Sequence, residues 1–147
     1  MTRRVREPKR EATVTQASDA LTAGYGDPLI RVVMMPRDTN TQGNIFGGVI
    51  LSYIDFAAGE EAVRIAKGRV VTKLVREVEF IAPVYVGDHV AFHTKTTRVG
   101  HTSVTVRVLV VATRGRRREL SVKVTEAEIV MVAIDDEGHP RPIDGGD

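Results

Sequence analysis

One segment constrains the fold more than any other: an apolar-rich stretch from about Asn44 to Lys67, which Gly68 closes. Its apolar side chains recur at i, i+3 and i+4, which predicts a helix of roughly 22 residues and roughly 33 Å. Charged residues interrupt the pattern only here and there, so the helix is apolar around most of its circumference. Such a helix has to be covered by other structure rather than lie on a surface.

Beyond Gly68 the hydrophobic period changes from about 3.6 residues to about 2, which is typical of strands. The predicted strands cover residues 29–35, 70–82, 89–99, 103–113 and 120–134. In the last strand the inward-facing phase shifts near Thr125 and Glu126, which predicts a β-bulge or an exchange of faces there. The short connections favour a meander of the last four strands, paired antiparallel. One buried helix against a curved antiparallel sheet is an α+β arrangement.

The length of 147 residues favours one domain. We expect a flexible N-terminal extension over residues 1–27, the domain itself over 28–143, and a C-terminal tail over 144–147. The extension carries a basic cluster, for which contact with an anionic partner and simple solvation both remain open. Because a single sheet covers only one side of a helix, the remaining apolar surface predicts self-association, in the simplest case as a symmetric dimer.

Composition excludes several classes of function. There is no cysteine, which rules out a disulfide scaffold, a zinc–thiolate site and a Cys nucleophile. The 21 basic and 19 acidic residues leave a net charge of +2, too small to favour nucleic acid. No apolar run approaches the roughly 20 residues of a membrane span, and no apolar stretch of a secretory signal follows the basic N-terminus. The four histidines form no helical ligand pair. We therefore expect a cytoplasmic protein without nucleic acid, membrane or metal.

A polar loop after Met35 leads to Gly47 and Gly48 at the N-terminal end of the helix. The first helical turn has backbone N–H groups without partners and carries the positive end of the dipole. Glycines there allow a ligand to approach the backbone closely. Such a site suits an anion, or a carbonyl oxygen that gains negative charge. Tight packing between helix and sheet explains the same glycines equally well.

Residues 35–50 read Met-Pro-x-Asp-Thr-Asn and then Gly-Asn-Ile-Phe-Gly-Gly-x-Ile. This stretch resembles the signature of the hotdog-fold acyl-CoA thioester hydrolases, both the bacterial YciA type and the related brain and cytosolic enzymes. Further matches follow in order at residues 68–72, 78–88, 99–103 and 131–135. The resemblance covers about residues 29–140. It implies a hotdog fold, in which the sheet wraps the long helix, and hydrolysis of acyl-CoA to free acid and CoA between subunits.

By this resemblance, backbone N–H groups at Gly47 and Gly48 polarise the thioester carbonyl. Asn44 stands where the bacterial type carries a catalytic carboxylate. Because an amide has no useful proton affinity, Asn44 can orient a water or bond the carbonyl, but it cannot serve as a general base. Asn is also a preferred helix N-cap, a role compatible with a place in the site. How much turnover Asn44 supports is left open.

Asp55 is the best substitute for the missing carboxylate. It lies eleven residues after Asn44, about three helical turns further on. A dimer interface would allow it to approach the partner's Asn44. Glu60 and Glu61 are second choices. The alternative for Asp55 is a carboxylate paired with a backbone group or an arginine.

The CoA phosphates require cations and hydrogen-bond donors. The residues expected at this end of the substrate are Arg69, Arg98, Gly100, His101, Thr102 and Ser103. His101 stands where the family usually has an arginine, and a histidine is only partly protonated near neutral pH. The basic loop at 114–118 is a further candidate, although it also fits a solvated hairpin tip. CoA is part of the substrate, so no separate cofactor is expected.

A non-catalytic acyl-CoA-binding or sensing hotdog protein is the alternative function, and Asn44 is its main support. The sequence does not specify the acyl chain length. Family members often form trimers of dimers, so both a dimer and a trimer of dimers remain open for this chain.

Overall fold

The structure is a computed structural model that describes residues 18–115 and 120–144. The basic cluster near the N-terminus, the loop residues 116–118 and the last three residues of the predicted tail lie outside the described residues. In chain order the elements are α1 (Ser18–Leu21), β1 (Ile30–Val33), the 3-10 helix η1 (Pro36–Asp38), α2 (Gly47–Ala66), β2 (Val70–Val75), β3 (His89–Val99), β4 (Ser103–Thr113) and β5 (Ser121–Ala133).

The described strands form one antiparallel sheet in the order β1-β3-β4-β5-β2. β3, β4 and β5 form the predicted meander, but placing β2 beside β3 was wrong, because β2 pairs with β5 at the opposite edge. β2 also ends at Val75, well before Pro83. The 13 residues 76–88 between β2 and β3 are long enough to cross the fold instead of turning back. They pair with β5 only intermittently, through the N–H groups of Arg76 and Ile81.

The β-bulge predicted near Thr125 lies one residue earlier. Val110 pairs with Thr125, whereas Val111 pairs with Lys123, so Val124 has no partner residue in β4. The extra residue changes which side chains of β5 face the helix, as the phase shift in the sequence indicated.

Helix α2 begins at Gly47, three residues later than predicted. Residues 44–46 are not helical, because Ile45 forms a β-bridge with Thr39 and Phe46 has extended backbone angles. At the other end Lys67 adopts a left-handed conformation with φ of 54°, and the Arg141 guanidinium donates to the Ala66 carbonyl at 2.7 Å. A cation at this end also stabilises the helix dipole.

The sheet curls around one face of α2 and buries it, which confirms the predicted α+β class. The core pairs small and branched helix residues with β-branched strand residues, including Ile54, Ala58, Ala62, Val106, Val108 and Ile129. The other face of α2 stays open, with Phe56 at 61% exposure. At the edge of the sheet, strand β2 also exposes Val71, Leu74 and Val75. One chain therefore does not cover its own helix.

The described part of the predicted extension contacts the sheet. The Tyr25 hydroxyl donates to Glu126 at 3.1 Å, and Nδ1 of His93 lies 2.9 Å from the Gly26 carbonyl oxygen. Burial, together with the negative charge of Glu126, raises the pKa of Tyr25. The domain boundary at residue 27 stays a prediction.

Candidate active site

A small hairpin presents Asn44 just before the helix. The backbone N–H of Asn40 donates to the Asn44 carbonyl at 2.7 Å. Oδ1 of Asn40 accepts from the N–H groups of Gln42 at 2.9 Å and Asn44 at 3.2 Å. Gly43 completes the turn with φ of 84°, a conformation that favours glycine. Sequence reasoning assigned no role to Asn40, although it lies within the motif that carries the resemblance.

The first turn of α2 offers two free donors. Phe46 occupies the N-cap position, and its side chain caps no N–H group. Among the described residues, the amides of Gly47 and Gly48 have no hydrogen-bond acceptor. Asn44, two residues before the N-cap, does not cap the helix. The two amides therefore point their unpaired hydrogens out of the positive end of a 20-residue helix.

Two aromatic rings lie against these glycines. A Cβ on Gly48 would collide with the ring of Phe46, whereas a Cβ on Gly47 would lie 3.5 Å from Phe80, an ordinary contact. Packing thus accounts for the absence of a side chain at Gly48. The backbone amides of both glycines stay available to a ligand. The two explanations of the glycines, tight packing and ligand binding, are therefore compatible.

A cavity of about 240 Å³ opens beside the helix start. Its lining includes Asn40, Asn44, Gly47, Ile50, Phe80 and Val84. The side-chain amide of Asn44 makes no hydrogen bond to the described residues, so both its donor and acceptor groups are free. The cavity therefore combines apolar walls with a few polar groups at one end, as is typical of a small-molecule site.

Asp55 lies in a different cavity, of about 250 Å³, between α2 and β2. Its Oδ1 accepts a hydrogen bond from the Thr72 hydroxyl at 2.6 Å. The expected alternative, pairing with a backbone group or an arginine, is not found among the described residues. Within one chain the structure does not bring Asp55 and Asn44 together. Sequence reasoning also missed Thr72, whose only signal was its place in the same phase of the strand as Val70, which faces the helix.

The two second-choice carboxylates point in different directions. Glu60 lines the cavity of Asp55. Glu61 is 9% exposed and accepts hydrogen bonds from Thr96 and Arg64, both at 2.9 Å. Burial alone would raise the pKa of the Glu61 carboxyl, but these hydrogen bonds and the Arg64 charge outweigh it and hold that pKa below its ordinary value. Glu61 is thus engaged away from Asp55.

The residues expected to bind CoA gather at the opposite end of α2. Gly100 and Ser103 close the β3–β4 turn, with the Gly100 N–H donating to the Ser103 carbonyl at 2.7 Å. The carbonyls of His101 and Thr102 accept from Ile143 and Ala133 at 2.8 Å, which holds the turn against the C-terminal segment.

The two arginines expected to bind CoA are both exposed. Arg69 precedes β2 near the helix C-terminus, and Arg98 lies near the end of β3. Because α2 has 20 residues and is about 30 Å long, one chain separates these groups widely from Gly47 and Gly48.

No group of three His, Asp or Glu side chains in residues 18–115 and 120–144 is arranged to hold a metal ion. Within the same ranges, no helix is long and apolar enough to cross a membrane.

Comparisons with known proteins identify the family. The thioesterase superfamily matches residues 42–119. The acyl-CoA thioester hydrolase YciA of Escherichia coli K12 is 39% identical over 120 residues, which are 80% of this chain and 91% of that protein. A hexameric hotdog fold thioesterase of Campylobacter jejuni is 40% identical with a TM-score of 0.75, covering 80% of this chain and 90% of that one.

A further solved relative is an acyl-CoA hydrolase from Staphylococcus aureus in complex with butyryl coenzyme A and coenzyme A. It is 27% identical with a TM-score of 0.72, covering 78% of this chain and 69% of that one. The predicted resemblance and the hotdog fold are thereby confirmed. This chain belongs to the thioesterase superfamily, as a member of its hotdog-fold acyl-CoA thioester hydrolases.

Proposed function

We propose that this protein hydrolyses acyl-CoA to a free carboxylic acid and CoA. One observation carries the proposal: the unpaired amides of Gly47 and Gly48 open beside a cavity that holds the free side chain of Asn44. The names of the relatives described above support the same reaction.

The helix start stabilises the transition state. The thioester carbonyl accepts hydrogen bonds from the Gly47 and Gly48 amides, and the acyl group enters the apolar cavity of about 240 Å³. As water attacks the carbonyl carbon, negative charge develops on the oxygen. Fixed donors and the positive end of the helix dipole stabilise that charge more than they stabilise the substrate.

The water requires a positioning group and a base. Asn44 orients the water with its free amide, and Asp55 takes the proton. The resulting hydroxide bonds to the carbonyl carbon, the carbon–sulfur bond breaks, and the thiolate of CoA leaves with the bonding pair and accepts a proton. Eight residues separate Gly47 from Asp55, which is about 12 Å along the helix, so the base comes from the partner subunit.

A second copy of the chain fits the open face around Asp55. Exposed apolar side chains flank this carboxylate on α2, among them Leu51, Phe56 and Val63. β2 is also an edge strand, whose outer N–H and carbonyl groups are unpaired in one chain. In a two-fold dimer the contacts are reciprocal, so each dimer has two equivalent sites. The Campylobacter relative is described as hexameric, and a trimer of such dimers is proposed here.

The same symmetry brings the phosphates of CoA within reach of the side chains and backbone groups that are expected to bind them. When two α2 helices pack antiparallel, the C-terminal end of one lies beside the N-terminal end of the other. Arg69, Arg98 and the turn from Gly100 to Ser103 then approach the partner's Gly47 and Gly48. Cationic side chains and backbone donors at this end bind the phosphates of CoA.

Thiol release from acyl-CoA by the purified protein tests the reaction. Steady turnover is expected, and tight binding of CoA without thiol release would instead favour the non-catalytic sensor, which the amide at Asn44 supports.

Subunit mixing tests the shared site. The variants Asn44→Ala and Asp55→Ala should each be nearly inactive. After unfolding and refolding together, half of the dimers contain one of each, and each of those has one intact site, so about a quarter of the wild-type activity should return. A mixture that stays inactive would show that both groups act within one chain. A variant that keeps its activity on its own would show that the replaced residue is not required.

A further inference from the structure

The segment from Ala82 to Val84 forms one wall of the cavity at the helix start. The Ile45 N–H donates to the Val84 carbonyl at 2.9 Å. Ile45 directly follows Asn44, so this wall fixes the position of Asn44 from one side, while Asn40 holds it from the other.

A single arginine holds the wall from behind. Arg114 follows β4, and its side chain is 23% exposed. Its guanidinium donates from Nε to Oδ2 of Asp88 at 3.1 Å and from an Nη to the Pro83 carbonyl. The guanidinium carbon also lies 4.6 Å from the centroid of the Tyr85 ring. Three contacts therefore converge on one short segment, which suits the planar, multidentate guanidinium.

Asp88 links this arginine to the rest of the fold. Its side chain is 5% exposed, and Oδ2 also accepts from the Tyr85 N–H at 2.9 Å. Its backbone carbonyl accepts from Met34 at 3.0 Å, just after β1. A buried carboxylate that loses its cationic partner is strongly destabilised, so Asp88 and the wall depend on Arg114.

We infer that Arg114 is a positioning residue for thioester hydrolysis. It acts through Asp88, Pro83 and Val84 on Ile45, and so places Asn44 beside the two helix amides. The sequence presented Arg114 as the first residue of a basic loop, but its side chain points inward to the site wall. The expected effect of Arg114 on kcat rests on the proposed function. The claim that Arg114 holds the cavity wall in place does not depend on any activity.

Arg141 provides a matched control. Its guanidinium also donates to backbone carbonyls, those of Ala66 at 2.7 Å and Ile134 at 3.2 Å, but at the opposite end of α2. The experiment compares Arg114→Ala, Arg114→Lys and Arg141→Ala, with two measurements below the melting temperature of every variant. One is the hydrogen exchange rate of the Ile45 amide, and the other is kcat and KM for thiol release from acyl-CoA.

We expect Ile45 exchange to quicken about tenfold in Arg114→Ala, with kcat about tenfold lower and KM within twofold, because small displacements of reacting groups are costly. Arg114→Lys should give an Ile45 exchange rate and a kcat between those of Arg114→Ala and wild type. If Arg114→Ala does not fold, the same two measurements on Arg114→Lys test the inference. Arg141→Ala should lower the melting temperature but change neither the Ile45 exchange rate nor kcat. Unchanged Ile45 exchange, or an equal loss of kcat in Arg141→Ala, would overturn the inference. A wild type without thiol release would refute the proposed function, and the exchange measurement would still decide whether Arg114 holds the wall.

Discussion

The Thr72 hydroxyl on β2 donates a hydrogen bond of 2.6 Å to Oδ1 of Asp55 on α2. Among the described residues the second oxygen of Asp55 has no partner, so this carboxylate is oriented by one hydrogen bond through Oδ1 and leaves Oδ2 unpaired. The bond joins the helix to the edge strand on the apolar face that one chain leaves open.

Replacing Thr72 with Val should leave the fold intact and lower kcat about fivefold, because losing one hydrogen bond is worth about 1 kcal/mol and frees the Asp55 side chain to rotate. Thiol release at saturating acyl-CoA measures this effect. Thr113→Val is the control, since Thr113 loses a comparable bond to Ser121 away from Asp55. Equal kcat values for the two variants would argue against a role of Asp55 orientation.

Replacing Asn44 with Asp should raise kcat at least tenfold, because a carboxylate beside the free helix amides adds a general base to a site that now has an amide. Asn44→Ala should act in the opposite direction and leave the protein nearly inactive. Thiol-release kinetics of the two variants measure both effects. An unchanged rate in Asn44→Asp would show that the missing carboxylate does not limit turnover.

Replacing Phe80 with Ala should shift the preference toward longer acyl chains. The ring closes the cavity beside Gly47, and removing it lengthens the apolar space available to the acyl group. We expect the ratio of kcat/KM for dodecanoyl-CoA to that for butyryl-CoA to rise about tenfold, within the range that hydrophobic pockets achieve. Because each variant is its own reference, general losses of activity cancel. A constant ratio would place the acyl group elsewhere.

Replacing Glu61 with Gln should lower the free energy of unfolding by about 1–2 kcal/mol near pH 7, since the hydrogen bonds from Arg64 and Thr96 to a charged group are weakened. The pKa of Glu61 is lower in the folded protein than its ordinary value of 4.5. Its stabilising contribution is therefore complete above about pH 5 and is lost as the pH falls through the folded value.

Denaturant unfolding between pH 7 and pH 3 checks this, and the difference between wild type and Glu61→Gln should shrink toward pH 3. Glu60→Gln, one residue earlier on the exposed side of the helix, is the matched control. A difference that grows at low pH would contradict the assignment of Thr96 and Arg64 as the stabilising partners.

Local patterns predicted the elements that are long and regular. β3 and β4 lie at the predicted residues, because strict alternation over eleven positions leaves one consistent assignment. The helix start was placed three residues early. Asn44 and Ile45 continue the helical apolar spacing, yet a β-bridge to Thr39 holds this stretch in a hairpin. The pairing of β2 with β5 was also missed. Alternation of apolar and polar residues predicts a strand but does not show which strand it pairs with.

For the candidate site, too, the sequence indicated what local patterns encode and missed contacts that form only in the folded chain. The sequence predicted Gly47, Gly48, Asn44 and Asp55 as site residues, which stays a prediction, but it did not indicate the supporting contacts of Asn40, Thr72 and Arg114. The contacts of Thr72 and Arg114 join residues that are remote in the chain, such as Arg114 and Pro83, and no local spacing encodes them. The contacts of Asn40 stay within its own loop, where neither the helical nor the strand period applies.

By itself, the sequence determined the element types, the α+β class, the family motif and the presence of an amide where a carboxylate is usual. These properties depend on the chemistry and period of neighbouring residues. Only the tertiary structure decided that β2 crosses to β5, that Asn44 and Asp55 occupy separate cavities, and that Arg114 turns toward the site wall. Such outcomes depend on burial and on hydrogen bonds between distant segments, whose free energies exist only once the chain has folded.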